Sequence, residues 1–249
     1  DICTPNAFHM PITVAALKAG KHVLCEKPLA RSAAEVRRMI AARDQADKLL
    51  MCAQHQRFTG SAKALKSVLD EVDLGHVYYA RAWANRRRGV PGWGGGSFIR
   101  KEVSGGGPCI DIGVHILDLT LHLMGNFEPI SVTGVTSDRL GKNPDLYNQW
   151  GDYDRTIFDV EDFAAGLVRF ANGAALSLEC SFMLNEKDPA MRCSIFGDKA
   201  GAMWPELEII SETNKVLTDT KAAEPRKAPG GHEQECREYV QAVLGGTES

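Results

Sequence analysis

Four polar residues, Asp111, His115, Asp118 and His122, recur at spacings of four, three and four within an otherwise apolar stretch. On a helix this spacing sets all four on one stripe. Ile112, Ile116, Leu119 and Leu123 flank it, so the stripe is largely withdrawn from water, at a cost unless each group is paired or holds something. An imidazole with an ordinary pKa of about 6.5 exchanges a proton at neutral pH. A carboxylate one turn away can accept a hydrogen bond from a hydroxyl or from the ring itself. Asp118 and His122 read best as caps or core hydrogen bonds, and Asp111 with His115 as a working pair. A metal set of two carboxylates and two histidines would need facing-helix ligands of the Glu-x-x-His kind, and none is evident.

A second candidate is Lys27, in His22-Val23-Leu24-Cys25-Glu26-Lys27-Pro28. A proline restricts the residue before it to extended geometry, which fixes where the lysine leaves its strand. Alone, such a lysine reads as a surface turn.

The elements that must position these residues follow from periodicity. Gly105-Gly106-Gly107 opens the stripe segment, whose helix over 111–124 stops at Gly125, a residue suited to the left-handed cap. Upstream, residues 1–6 read as a strand end turning into a helix that runs to Ala19 and stops at Gly20. A strand over 21–25 leads to a capping box, Ser32 with Glu35, a helix to about Asp47 and a strand near 49–53. These are parallel-sheet units, and their carboxyl ends, Thr4-Pro5-Asn6, Glu26-Lys27-Pro28 and residues 54–57, would face the crevice where such sheets bind ligands.

A helix around 61–70 and an aromatic-rich strand over 75–83 open a second part. Residues 86–107 contain eight glycines, Pro91 and Trp93, and read as a long functional or mobile loop. Trp93 would either stack on the apolar face of a sugar or pin that loop. Strands then follow without intervening helices, over 130–135, 163–170, 174–182, 191–196 and 201–210, with Asn172-Gly173 as the clearest hairpin signal. Such a succession implies a mainly antiparallel open sheet covered on one face by helices, including the stripe helix. A last helix is expected over 232–244.

Composition narrows the function classes. With 249 residues, 44% hydrophobic and 24% charged, the chain can bury one large or two modest cores. A net charge of -3 gives no electrostatic reason to expect nucleic acid or an anionic membrane, and Arg86-Arg87-Arg88 reads as a solvated face or a few ion pairs. No apolar run approaches a membrane span and no signal peptide is visible. Seven cysteines, odd in number and without Cys-x-x-Cys, read as reduced, mostly core residues of a cytoplasmic protein.

Glu26-Lys27-Pro28 at a strand end, followed by Asp111-Ile112-Gly113-Val114-His115, resembles the Gfo/Idh/MocA family of nicotinamide-dependent oxidoreductases (glucose-fructose oxidoreductase, inositol dehydrogenase, rhizopine catabolism). The likeness includes Cys3-Thr4-Pro5-Asn6 with His9, Ala19-Gly20-Lys21-His22-Val23, Arg57-Phe58, Gly105-Gly106-Gly107 and Val160-Glu161-Asp162-Phe163. It implies a partial Rossmann domain over 1–55 and an α+β substrate and oligomerisation domain over 56–249. The Gly-x-Gly-x-x-Gly loop of such a domain is not found. On this resemblance at least two strand–helix units, roughly 60 residues, would precede Asp1, and a further helix would follow 245–249.

The resemblance further implies catalysis by Lys27, Asp111 and His115, and an NAD or NADP site at Thr4, Pro5, Asn6, His9, Glu26, Lys27 and Pro28. Trp93 and Arg57 would meet a sugar, cyclitol or related polyol, although Arg57, like Arg88 and Asp162, serves equally well as an ion-pair partner or loop anchor. His115 would be the general base and Lys27 a donor stabilising alkoxide character. A homo-oligomer, dimer or tetramer, is expected. Two other functions stay open: a redox-neutral, NAD-dependent glycosidase, and a non-catalytic nucleotide or sugar sensor. The chain by itself, lacking the phosphate loop, is expected to bind no cofactor.

Overall fold

In the strand Val77–Asn85 (β3), Ala80, Ala82 and Ala84 alternate with larger residues, and all three are buried. Small side chains on that face allow a helix to lie close against the sheet. The helix Val114–Met124 (α6) does so, burying Ile116, Leu119 and Leu123. Gly125, at φ 69°, forms its left-handed cap. The opposite face of β3 presents Tyr79, Arg81 and Trp83, with Tyr79 stacked on Phe196 and the Arg81 guanidinium over both Trp83 and Phe196.

The computed structural model describes residues 1–125, 128–223 and 228–245. Its first part holds α1 (His9–Lys18), β1 (Val23–Glu26), α2 (Ala33–Ala46) and β2 (Leu50–Ala53). β1 and β2 pair in parallel, and Ile2 bridges to Cys25 in the same sense, so three strand ends lie side by side. Ser32 caps α2 by accepting from the Glu35 amide, as the capping box predicts. Ile2, Leu17, Val23, Cys25, Met39 and Ala42 form a core here, separate from the larger one beneath α6.

After α3 (Gly60–Leu69) and β3 come two single-turn helices, α4 (Trp93–Gly96) and α5 (Lys101–Ser104), within the glycine-rich loop. Then follow α6, β4 (Pro129–Ser137), β5 (Phe163–Phe170), β6 (Ala175–Ser181), β7 (Met191–Gly197), β8 (Ala200–Trp204), β9 (Glu208–Thr213), β10 (Val216–Lys221) and α7 (Gly231–Gly245). The eight-stranded sheet has the order β10-β9-β8-β7-β3-β6-β5-β4. Every pairing in it is antiparallel except β3 with β6.

The single strand expected over 201–210 is two strands. Pro205 cannot donate to a ladder, and Leu207 at φ 59° turns the chain back, so β8 and β9 form a hairpin. β10 has no counterpart in the sequence reading; Asn214 and Lys215, both at positive φ, make its turn. The cysteines are free, but Cys3, Cys109 and Cys236 are exposed and Cys25, Cys180 and Cys193 are buried, so fewer are core residues than expected. No helix among the described residues is long and apolar enough to cross a membrane. Residues 246–249, where the expectation about a further helix falls, lie outside the described residues.

Candidate active site

The polar stripe divides along α6 and the turn before it. Residues Cys109–Gly113 form a π-helical turn, a wider register that recurs at functional sites, and Asp111 sits within it, buried. Gly113 accounts for the glycine of Asp-x-Gly-x-His: a Cβ there would lie 3.0 Å from Cys180 Sγ, a tight contact that glycine avoids where this turn packs onto β6. Gly107 does the same one turn earlier, where a Cβ would lie 2.0 Å from the Glu161 carbonyl oxygen. Glu161 Oε1 in turn accepts from the Cys109 amide at 3.3 Å.

Lys27 reaches across to this turn from the end of β1. Its Nζ donates to Asp111 Oδ1 and to the Asp111 carbonyl oxygen, both at 2.8 Å. The two side chains are only 16% and 11% exposed, so the pair is strongly attractive and its geometry well fixed. Arg86 Nη1 lies 3.8 Å from Asp111 Oδ2, and its guanidinium stacks over Trp150, 4.3 Å from the ring centre. Arg86 is thus partly buried in the site, and not on a solvated face. The Lys27–Pro28 peptide bond is cis.

His115, one turn beyond Asp111, is buried, and its Nδ1 has no hydrogen-bond partner among the described residues. Burial first, then the positive Lys27, the neighbouring His55 ring and the positive Arg86, push its pKa down to about 2. The ring is therefore neutral at physiological pH, far from the ordinary imidazole expected from its sequence. Asp111 engages Lys27 and not this ring. The His55 ring stands edge-on to His115, with centroids 4.9 Å apart.

Asp118 and His122 do not join this group. Asp118 takes a two-pronged ion pair from Arg57, Nε to Oδ2 and Nη2 to Oδ1, each at 2.6 Å. This is the ion-pair alternative for Arg57: two of its three guanidinium nitrogens fasten the 3-10 turn His55–Phe58 to α6. Burial lowers the pKa of the half-buried His122. Arg88 donates to the Arg87 and Leu184 carbonyls and to Asn185, and Asp162 accepts from the Gly141 amide, so both are loop anchors. Among the described residues no three histidine, cysteine or acidic side chains are grouped to hold a metal ion.

At the strand ends a cavity of about 310 Å³ is lined by Cys3, Thr4, Pro5, Asn6, Glu26, Lys27, Ser97 and Phe98. Thr4, Pro5, Asn6, Glu26 and Lys27 thus share one crevice, and Asn6 also donates to the Ser104 carbonyl, tying the first part of the chain to the second. His9 and Pro28 are not among these lining residues. His9 is fully buried, with Nδ1 and Nε2 each 2.8 Å from a carbonyl oxygen, of Pro28 and of Thr4. It staples two walls of the crevice from behind, and Pro28 is buried beside it. Trp93 is half exposed, 6.1 Å from Phe98 and 5.1 Å from Trp150 between ring centres, which sets an aromatic rim beside the crevice.

His55, His232, Arg86, Ser97, Phe98 and Trp150 were not singled out from sequence. His55 lies in the segment 54–57 expected at the crevice, which was a usable signal; His232 had none, since only the path of α7 brings it there.

Residues 1–54 match the family model described as "Oxidoreductase family, NAD-binding Rossmann fold", and residues 62–203 match the "GFO/IDH/MocA C-terminal domain". The chain is 39% identical to D-glucoside 3-dehydrogenase of Escherichia coli over 218 residues, 87% of this chain and 61% of that protein. It is 31% identical to levoglucosan dehydrogenase of Pseudarthrobacter phenanthrenivorans over 82% of this chain and 54% of the relative. It therefore spans between half and two thirds of the length of these relatives. A solved structure of levoglucosan dehydrogenase in complex with NADH and levoglucosan superposes with a TM-score of 0.80 at 25% identity, covering 100% of this chain and 71% of the other.

Proposed function

The chain belongs to the Gfo/Idh/MocA oxidoreductase family, and from that premise we propose that the protein oxidises a secondary hydroxyl of a sugar, cyclitol or related polyol with a nicotinamide cofactor, NAD or NADP. One observation carries this reading: Lys27, at the end of a parallel strand, meets Asp111 at 2.8 Å, one helical turn from the buried, uncharged His115. An ammonium, a carboxylate and a neutral imidazole are thereby gathered beside a crevice at strand carboxyl ends. The residues fit a nicotinamide nucleotide there: Thr4, Pro5, Asn6, Glu26 and Lys27 line a cavity at the position where doubly wound sheets bind such ligands. When bound, that group supplies the acceptor for the hydrogen and electron pair leaving the carbinol carbon.

The chain's own residues handle the hydroxyl. Lys27 donates to the substrate oxygen and stabilises the negative charge that grows as the O–H bond weakens. Asp111 holds the ammonium in place and, with Oδ2 toward Arg86, keeps the site's charge in balance. His115 offers a lone pair at every working pH and accepts the hydroxyl proton as the carbonyl forms. Trp93, at the rim, offers an aromatic face to the substrate ring.

The names of the similar proteins, D-glucoside 3-dehydrogenase and levoglucosan dehydrogenase, favour a pyranose substrate. We read the protein as a cytoplasmic homo-oligomer, with the open face of the large sheet, where Val135 is exposed on β4, as the contact. The test is net NADH formation by the full-length protein against a panel of glucosides, anhydrosugars and inositols. Net NADH supports a dehydrogenase. Sugar release without net NADH would point to the redox-neutral glycosidase.

A further inference from the structure

The two arginines that stand beside the stripe carboxylates are used differently. Arg57 spends Nε and Nη2 on Asp118, each at 2.6 Å. The Arg86 guanidinium makes one hydrogen bond among the described residues, from Nη1 to the Gly89 carbonyl at 3.2 Å. Nη1 also stands 3.8 Å from Asp111 Oδ2, which is beyond hydrogen-bond reach. A guanidinium carries five N–H donors, so those of Nε and Nη2 are left over beside the carboxylate that holds Lys27.

Stacking and backbone bonds hold Arg86 instead. Its guanidinium lies over Trp150 and Phe182, 4.3 and 5.6 Å from the ring centres. Its amide donates to the Ser181 carbonyl at 3.0 Å, and its carbonyl accepts from Ser181 Oγ at 3.3 Å. Aromatic faces fix a guanidinium without consuming its N–H groups. The side chain is therefore held in place, with donors to spare, and 26% exposed. Its position is equally specific. Trp93 and Trp150, 5.1 Å apart between ring centres, lead from the aromatic rim to Arg86, and Asp111 leads from Arg86 to Lys27. Lys27 meets Oδ1 and Arg86 faces Oδ2, so two cationic donors flank one carboxylate and a pair of neighbouring hydroxyls can reach both.

We propose that Arg86 selects substrates carrying a hydroxyl beside the carbinol that is oxidised: Lys27 takes the reacting oxygen, and Arg86 takes the oxygen on the adjacent carbon through Nε or Nη2. The contact rests on the dehydrogenase reading above and names its substrate class, a vicinal diol within a ring. No bond is made or broken at Arg86; the second anchor orients the carbinol for reaction. A guanidinium that merely balanced the Asp111 charge would be indifferent to the neighbouring hydroxyl.

A kinetic cycle between protein and substrate separates the two roles. Full-length wild type and Arg86→Met are each assayed with the glucoside that yields most NADH and with its monodeoxy analogues. Methionine keeps an apolar stem against Trp150 and removes the donors. For an analogue lacking a hydroxyl beside the reacting carbon, wild-type kcat/KM should fall on the order of ten- to a hundredfold. Arg86→Met should show a similar loss on the parent glucoside and little further loss on that analogue, whereas removal of remoter hydroxyls should cost both proteins the same factor. Should Arg86→Met not fold, Arg86→Gln enters the same cycle with the same readings. Losses that multiply for every analogue, or a wild type indifferent to both neighbouring hydroxyls, would overturn the proposal and leave Arg86 a charge or packing role. A wild-type protein that forms no NADH with any sugar of the panel would instead remove the dehydrogenase reading, and this contact with it.

Discussion

Replacing Lys27 by Met should cost more stability than replacing Asp111 by Asn, although both break the same ion pair. Lys27→Met strands a carboxylate whose side chain is 11% exposed, with only Arg86, at 3.8 Å, to compensate. Breaking a buried pair from one side costs about 3–5 kcal/mol, and the residual attraction to Arg86 brings the expected loss to roughly 2–3 kcal/mol. Asp111→Asn leaves the ammonium two neutral acceptors, the retained carbonyl at 2.8 Å and the new amide oxygen, so about 1 kcal/mol is expected. For a chain of this size the Lys27→Met loss corresponds to a Tm lowered by roughly 4–12 °C. Urea titration of the cofactor-free protein, followed by tryptophan fluorescence, measures both values. Equal losses, or a larger loss for Asp111→Asn, would refute the view that the lysine is what makes the buried carboxylate tolerable. Both variants should lose activity on the order of a hundredfold or more, since in the proposed reaction Lys27 stabilises the charge growing on the substrate oxygen and Asp111 holds that ammonium in place.

His115 makes a signed pH prediction. Its folded pKa, about 2, lies below the ordinary 6.5, so the unfolded chain binds the proton first as pH falls. The stability linked to this ring is complete above about pH 6.5 and declines below it, by about 2 kcal/mol at pH 5; His115→Gln should remove that part of the slope in a urea series. For the same reason kcat/KM should show no acid limb at 6.5 arising from this residue. Asp118→Asn should weaken the hold on the 3-10 turn at residues 55–58 and lower stability by about 1–2 kcal/mol, with substrate KM unchanged, because Arg57 is occupied by Asp118. Trp93→Ala should raise substrate KM severalfold while kcat and cofactor affinity hold, which initial-rate kinetics will read directly.

Much of this site was legible because local chemistry and periodicity agree. The helix around His115, its glycine cap, the capping box at Ser32 and the strand leading to Lys27 each follow from short-range rules, and the structure keeps all of them. The division of the stripe did not follow from spacing. Asp111 and Asp118 are equivalent by helical register, and only the long-range partners, Lys27 and Arg57, set their different roles. The state of His115 escaped the sequence for the same reason: an imidazole is ordinary until its burial and the nearby Lys27 and Arg86 charges are known. Alternation alone made 201–210 one strand, although Pro205 carried the contrary signal. The family resemblance put His9, close after Thr4-Pro5-Asn6, among the cofactor contacts. In the fold the same proximity puts its ring behind the crevice, occupied by two carbonyls.

The central claim is that the carbinol hydrogen of a sugar passes to a nicotinamide in a site built by Lys27, Asp111 and His115. Its most direct test is a single turnover of the full-length protein with a glucoside deuterated at each ring carbon in turn, with mass analysis of the recovered cofactor. Deuterium from one carbon should appear in the nicotinamide for wild type and fall by at least about a hundredfold in rate for Lys27→Ala and His115→Ala. Sugar conversion with no label in the cofactor, or transfer that proceeds at the wild-type rate in both variants, would contradict it.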